Sequence, residues 1–279
     1  MMLNSSLKRF FTLYFSALVI CMSARVYLKL NAMDPLTGFY VDGGALVPAF
    51  NAVFGICIVA LFLLYVFRRT DRDYPVLRSD KFTAFLALLT GVTIALYQVE
   101  AMGVSELAFA SPGVLLEGLP LTISAAIGGL SALVFVVIGA RALFGDGQMY
   151  GGVFSLIAGI WLMITLVFKF NSYTTLTTIS DNLLTVLFMV FCALFLTGHA
   201  RTLGGLSRRD GRNYAIPAGL SASLCGLLLV VPNWVWMAMN GTLHLPAPML
   251  GNYESLFIFF MSVYALLFVR HICLSMRAV

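Results

Sequence analysis

Six ionisable residues lie at or near the ends of long apolar segments, and they are the strongest candidates for chemistry in this chain. Charged side chains at membrane depth are expensive, and they commonly mark a binding site or an ion pathway. All six fall near the same end of the segments that carry them, so a helical bundle would bring them to one level. We predict intramembrane ion pairs or a solute-binding site formed by Arg25, Lys29, Glu100, Lys169, Asp181 and Glu254.

Spacing and length suggest partners for these charges. Arg25 and Lys29 are four residues apart and share one face of a helix. Glu100 has a short side chain, so it reaches the lipid headgroups less easily than a lysine and needs a partner more. We therefore predict that Arg25 pairs with Glu100 and that Lys169 pairs with Asp181.

Two interpretations of this polar end remain open. The helices converge and the charges line an outward-facing vestibule for a small solute, or each charge snorkels separately to the headgroups. Arg25 is about five residues, roughly 8 Å, from the outer end of its segment, and a long side chain can span most of that distance. Snorkelling alone therefore accounts for each residue taken singly.

Known catalytic and cofactor motifs are absent from the sequence. It contains no phosphate-binding P-loop, no GxSxG and no HExxH. The histidines His199, His244 and His271 are scattered, and the five cysteines form no CxxC pair. We expect no catalytic residue, no cofactor and no metal site. An intramembrane enzyme that uses Glu100 or Asp181 is the least favoured hypothesis.

Composition identifies the elements that must position these residues. Of 279 residues, 61% are hydrophobic and 10% are charged, with a mean hydropathy of +0.96. A soluble fold has about 25% charged residues, so lipid must cover much of this surface. The pattern predicts an all-α class, a polytopic transmembrane helix bundle of eight helices in a single membrane domain, 1–279. The predicted helices span about 10–30, 47–67, 82–102, 122–143, 150–170, 182–200, 215–236 and 255–273.

Basic residues predict the orientation of these helices. Lysine and arginine are concentrated before the first segment and after each even-numbered one, above all in the loops 68–81 and 201–212. By the positive-inside rule, both termini are cytoplasmic and the chain resides in the cell membrane. The alternative is that the first segment is a cleaved signal peptide, but its apolar character continues to Leu30. The loops without any lysine or arginine are 31–46, 103–121, 171–181 and 237–254.

An arginine ends each even-numbered segment at the predicted inner rim. This recurrence suggests four tandem helical hairpins, although inner-rim arginines also follow from the positive-inside rule alone. The recurring arginines are Arg68, Arg141, Arg201 and Arg270.

The apolar loop 103–121 is a separate feature, and it predicts a short interfacial hairpin or a lid.

Two functions are compatible with this organisation. The first is a transporter or permease-like component for a small polar or charged solute. The second is a non-catalytic sensing or scaffolding subunit whose basic loops, including Arg208, Arg209 and Arg212, dock a partner protein or anionic lipid. Because the basic residues follow the membrane topology, no nucleic-acid partner is expected.

Overall fold

The computed structural model confirms the predicted all-α helix bundle. The structure describes residues 5–32, 34, 40, 45–66, 80–109, 115–145, 153–172, 180–204, 208–241 and 251–275. Within these ranges the chain forms eight α-helices. They are α1 (Ser5–Asn31), α2 (Leu46–Val66), α3 (Lys81–Phe109), α4 (Leu115–Phe144), α5 (Leu156–Ser172), α6 (Ser180–Leu203), α7 (Arg208–Asn240) and α8 (Asn252–Ser275).

Seven of the eight helices are long and apolar enough to cross a membrane, and α5 is the shorter one. Helix α5 has 17 residues, which give about 26 Å of rise. The 3-10 turn Val153–Ser155 precedes it directly and adds roughly 6 Å. Together they match a hydrocarbon core of about 30 Å. The chain is a multi-pass integral membrane protein.

Helix α7 forms the centre of the bundle. In an 18-residue apolar stretch of α7 within Gly211–Asn240, 83% of the residues are buried, whereas only 22% are buried in the 18-residue stretch Leu46–Leu63 of α2. Helix α7 packs against α6, α8, α1 and α2, and α3, α4 and α5 complete the bundle beside α6 and α8. Large apolar side chains such as Ile56 and Val59 of α2 are exposed, as a lipid-facing surface requires.

Helices α6 and α7 run antiparallel at close range. A Cβ atom on Gly219 would lie 2.8 Å from Cδ2 of Phe195, and one on Gly226 would lie 2.9 Å from Cδ2 of Phe188. These two contacts are seven residues apart on both helices, so one register holds along the pair. Glycine at both positions leaves room for the phenylalanine rings.

Three helices exceed the lengths predicted from hydropathy most clearly. Helices α3 and α4 extend to Phe109 and from Leu115, so most of the loop 103–121 is helical, and its role as an interfacial hairpin or lid stays a prediction. Helix α7 covers Arg208–Asn240 instead of 215–236. Apolar length measures the hydrocarbon crossing only, and a helix can continue into the headgroup region.

The tandem hairpins and the orientation of the termini stay predictions. The helices of each predicted hairpin do contact one another, but the most extensive helix contact is between α6 and α7, which belong to different hairpins. Residues 67–79, which hold most of the first basic loop, lie outside the described residues.

Candidate functional site: a buried layer of charged side chains

Asp181 lies at the centre of a buried ion cluster between α1 and α6. Its Oδ2 accepts a hydrogen bond from Nζ of Lys29 at 2.6 Å, and its Oδ1 accepts one from Nη2 of Arg25. Arg25, Lys29 and Asp181 are 0%, 2% and 5% exposed. We call these three residues the Asp181 cluster. Its ion pairs join two helices that otherwise hardly approach each other, since α1 packs mainly on α7 and α2.

Two aromatic residues complete the surroundings of Arg25. Its Nη1 donates a hydrogen bond to the hydroxyl of Tyr40 in the loop after α1. The carbon of its guanidinium lies 5.9 Å from the ring centroid of Tyr40 and 5.8 Å from that of Phe50 on α2. Both distances suit a cation–π interaction. Arg25 is therefore held from three sides, by α2, α6 and the first loop.

A second ion cluster joins α3, α5 and α8. Nζ of Lys169 donates a hydrogen bond to Oε1 of Glu254. Oε2 of Glu100 accepts the backbone N–H of Glu254 at 3.2 Å. We call Glu100, Lys169 and Glu254 the Glu254 cluster.

Glu100 acts as a cap for the amino end of α8. The first N–H groups of a helix have no partner within the helix, and the positive end of its dipole attracts a carboxylate. A Cβ on Gly251 would lie 2.6–2.8 Å from the carboxylate atoms of Glu100. Glycine at this position therefore permits the carboxylate to approach the helix end.

Helix dipoles favour the placement of the other charges. Asp181 and Glu254 occupy the first turns of α6 and α8, and Lys29 and Lys169 occupy the last turns of α1 and α5. Carboxylates are stabilised at helix amino ends and ammonium groups at carboxyl ends. In an antiparallel bundle, these ends meet on one side.

All six predicted residues lie at one end of the bundle, and each has a partner on another helix. These partners differ from the predicted ones. Arg25 pairs with Asp181 rather than with Glu100, and Lys169 pairs with Glu254 rather than with Asp181. The expected partner of Glu100 was a cation, and its observed partner is a backbone N–H. The side chains of Arg25 and Lys29 also turn into the protein instead of snorkelling to headgroups.

The two clusters carry opposite formal charge. In the Asp181 cluster, two cations share one carboxylate; in the Glu254 cluster, two carboxylates accompany one cation. Counting only these described residues, each cluster has one charge in excess, and the two excesses cancel. The layer can therefore offer a cationic face and an anionic face to a polar molecule.

The half of the bundle away from these charged side chains contains a different polar pair. Nε2 of His199 lies 2.6 Å from the hydroxyl of Tyr264, inside a shell of aromatic rings that includes Phe135, Phe195 and Phe268. The partner of Nε2 of His199 is therefore the tyrosine hydroxyl. No group of three or more histidine, cysteine, aspartate or glutamate residues in the described ranges could hold a metal ion.

One predicted docking residue on the basic loops is not accessible. Arg212 is only 2% exposed and lies inside the bundle on α7. The side chains of Arg208 and Arg209 lie outside the described residues. Arg201 is exposed, and its guanidinium carbon lies 5.9 Å from the ring centroid of Tyr214.

The sequence matches no protein-family model, and neither a curated protein nor a solved structure is significantly similar to it.

Proposed function

We propose that this chain is a transporter or permease-like component for a small polar or charged solute, and that the solute exchanges with the ion pairs of the Asp181 and Glu254 clusters. The observation that carries the proposal is the buried layer itself. Five helices contribute six charged side chains, and every one of them is paired with another helix. Four of the six are buried, and Glu100 and Lys169 are half-buried.

Stability alone does not explain such a layer. Replacing a buried ion pair with well-packed apolar residues is often neutral or stabilising, because desolvation offsets the Coulombic attraction. A fold that needed only cohesion would have had apolar contacts available in an apolar bundle. Charges inside a membrane bundle are typical of substrate pathways.

The ion pairs are arranged so that a solute can replace one partner. Asp181 is shared by Arg25 and Lys29, so either cation can bind an incoming carboxylate or hydroxyl while the other keeps Asp181. With both termini in the cytoplasm of a cell-membrane protein, as the basic loops favour, this layer lies nearer the outer surface. We place the entry of the solute there.

The alternative function, a sensing or scaffolding subunit, has less support. It depends on basic docking residues, and Arg212 is buried among the helices. An enzyme is the least supported function, because each acidic candidate, Glu100 and Asp181, already has charged or N–H partners.

Uptake by proteoliposomes tests the proposal. Vesicles that contain the purified protein are incubated with a mixture of small polar and charged solutes, filtered, and their contents are measured by mass spectrometry. We expect at least one solute to accumulate above the level in protein-free vesicles. Asp181→Asn and Lys29→Gln should abolish that uptake, because each removes a partner from the Asp181 cluster.

Arg201→Gln is the matched control. Arg201 is exposed at the other end of α6 and should leave uptake unchanged. Uptake of no solute by the wild-type protein would overturn the proposal. Equal uptake by the wild type, Asp181→Asn and Lys29→Gln would show that the layer does not act in transport.

A further inference from the structure

Asn233 on α7 is a buried amide without a partner. Its side chain is 0% exposed, and neither Nδ2 nor Oδ1 has a hydrogen-bond partner in the part of the chain that the structure describes. Leaving a buried polar group unsatisfied costs about 1–3 kcal/mol, and almost all such groups in folded proteins are paired. An amide that is both an unpaired donor and an unpaired acceptor is therefore typical of a site that binds a polar molecule.

The helix register places Asn233 at the level of the Asp181 cluster. Gly226 of α7 faces Phe188 of α6. Asn233 follows Gly226 by seven residues, and Asp181 precedes Phe188 by seven residues. Seven residues are about two helical turns, so on antiparallel helices Asn233 and Asp181 lie opposite each other on the facing sides.

The same stripe of α7 also faces α8. A Cβ on Gly226 would lie 3.0 Å from Cγ2 of Ile258. Seven residues before Ile258 is Gly251, at the start of α8 and beside the carboxylate of Glu100. Asn233 is therefore on the side of α7 that faces α6 and α8, at the level of Asp181 and Gly251.

One backbone hydrogen bond is also missing beside Asn233, although α7 continues as a single helix over Arg208–Asn240. Pro232 lies inside α7, and a proline within a helix leaves the carbonyl four residues earlier without its hydrogen bond. That carbonyl belongs to Leu228, one turn deeper in the bundle.

We infer that the solute is a small zwitterion, with a carboxylate that binds the Asp181 cluster, an ammonium group that binds the Glu254 cluster, and Asn233 between them. This inference rests on the proposed function and specifies its substrate class. Nε of Arg25 is buried and lacks a partner in the described residues, and it supplies a donor for the carboxylate. The carboxylates of Glu254 and Glu100 outnumber Lys169 and attract the ammonium group.

The charge balance selects a zwitterion over a simple ion. The two clusters together hold three cations and three carboxylates. Among the six charged side chains of the two clusters, a net charge added to the layer has no counter-ion, and burying an uncompensated charge is costly. A zwitterion leaves the net charge of the layer unchanged, and each of its charged groups is opposite in sign to the excess charge of the cluster that it binds.

Ligand-induced thermal stabilisation tests the inference without any transport. The purified protein in detergent is heated with one of three pools of probes at millimolar concentration. The pools contain amino acids with uncharged side chains plus glycine betaine, the matching 2-hydroxy acids, and the matching amino-acid amides. They are zwitterions, anions and cations of similar size. We expect only the zwitterion pool to raise the melting temperature, since a ligand that binds the folded state stabilises it.

Two variants locate the site. Asn233→Leu should weaken binding of the stabilising zwitterion about 10–100-fold, because the lost hydrogen bonds leave charged groups of the ligand unsatisfied. Ser221→Ala is the matched control, since Ser221 is also on α7, is fully buried, and has no partner for its hydroxyl in the described residues. It should bind as the wild type does. If Asn233→Leu is more stable and binds equally well, Asn233 holds a structural water at most and the inference is wrong.

The probe pools separate this inference from the proposed function. The zwitterion inference is wrong if the anions or the cations stabilise the protein at least as much as the zwitterions do. It is also wrong if no pool stabilises the protein. Either result leaves transport of another solute possible. Zwitterion binding without uptake in vesicles would overturn transport and leave the binding site intact.

Discussion

Removing the carboxylate of Asp181 is the most informative perturbation of the fold. Asp181→Asn keeps the size of the side chain but leaves Arg25 and Lys29 buried without an anion, so the Asp181 cluster goes from one excess positive charge to two. Arg25 is 0% exposed and Lys29 is 2% exposed, so solvent screens neither. Breaking a buried pair by removing one partner costs about 3–5 kcal/mol, and we expect a loss of unfolding free energy of that size.

The partner variant Lys29→Met should behave differently. It leaves Asp181 paired with Arg25 alone, so the cluster is neutral, and the methionine side chain fills most of the space of the lysine stem. We expect a change within about 1 kcal/mol. Combined with Asp181→Asn, it should restore about 1–3 kcal/mol of the loss, because one uncompensated cation remains instead of two.

These free energies can be measured by titrating the purified protein with SDS in mixed micelles while circular dichroism follows helix content. The charge argument fails if Asp181→Asn stays within about 1 kcal/mol of the wild type, or if Lys29→Met is as destabilising as Asp181→Asn. Additive effects of the two substitutions would also contradict it, since residues in direct contact should couple.

Three further predictions concern other parts of the chain. Gly251→Ala should lower the melting temperature more than Glu100→Gln does. The new Cβ would lie within 2.8 Å of the Glu100 carboxylate, whereas a glutamine can still accept the N–H of α8. Equal effects of the two variants would contradict the capping role of Glu100. Tyr264→Phe should lower the unfolding free energy by about 1–3 kcal/mol, since it removes the partner of buried His199; an unchanged SDS titration would disagree. A single cysteine in the loop 68–81 should react with an impermeant maleimide only in opened cells, because its five basic residues hold it inside; labelling of intact cells would reverse the orientation.

The bundle was predictable from the sequence because one strong signal determines it. Each apolar segment of hydrocarbon length became a helix, and the α5 segment needed its 3-10 turn to reach that length. The ends of α3, α4 and α7 were not predictable from hydropathy, since a helix does not stop where the lipid does.

The level of the charged layer was also predictable, but its pairing was not. Helix ends in an antiparallel bundle must meet, which brings Arg25 and Glu100 to the same side. Which charges touch depends on the rotation of each helix and on its neighbours, and hydrophobic periodicity is weak when a helix is apolar on nearly every face. Glu100 also shows that the partner of a carboxylate can be a backbone N–H, which cannot be predicted from the charged residues of the sequence. Asn233 carried only a weak signal, as a polar residue beside a proline near the end of an apolar segment.

The long sequence separation within the Asp181 cluster has a consequence for synthesis in the membrane. Arg25 and Asp181 are 156 residues apart in the chain. At 5–20 residues per second, about 8–30 s pass between the synthesis of α1 and that of its partner α6. During this interval the two basic side chains of α1 have no carboxylate from α6, and snorkelling to the headgroups is the arrangement open to them. Synthesis of α6 then supplies Asp181 to both cations, and the later synthesis of α7 supplies the main packing surface of α1.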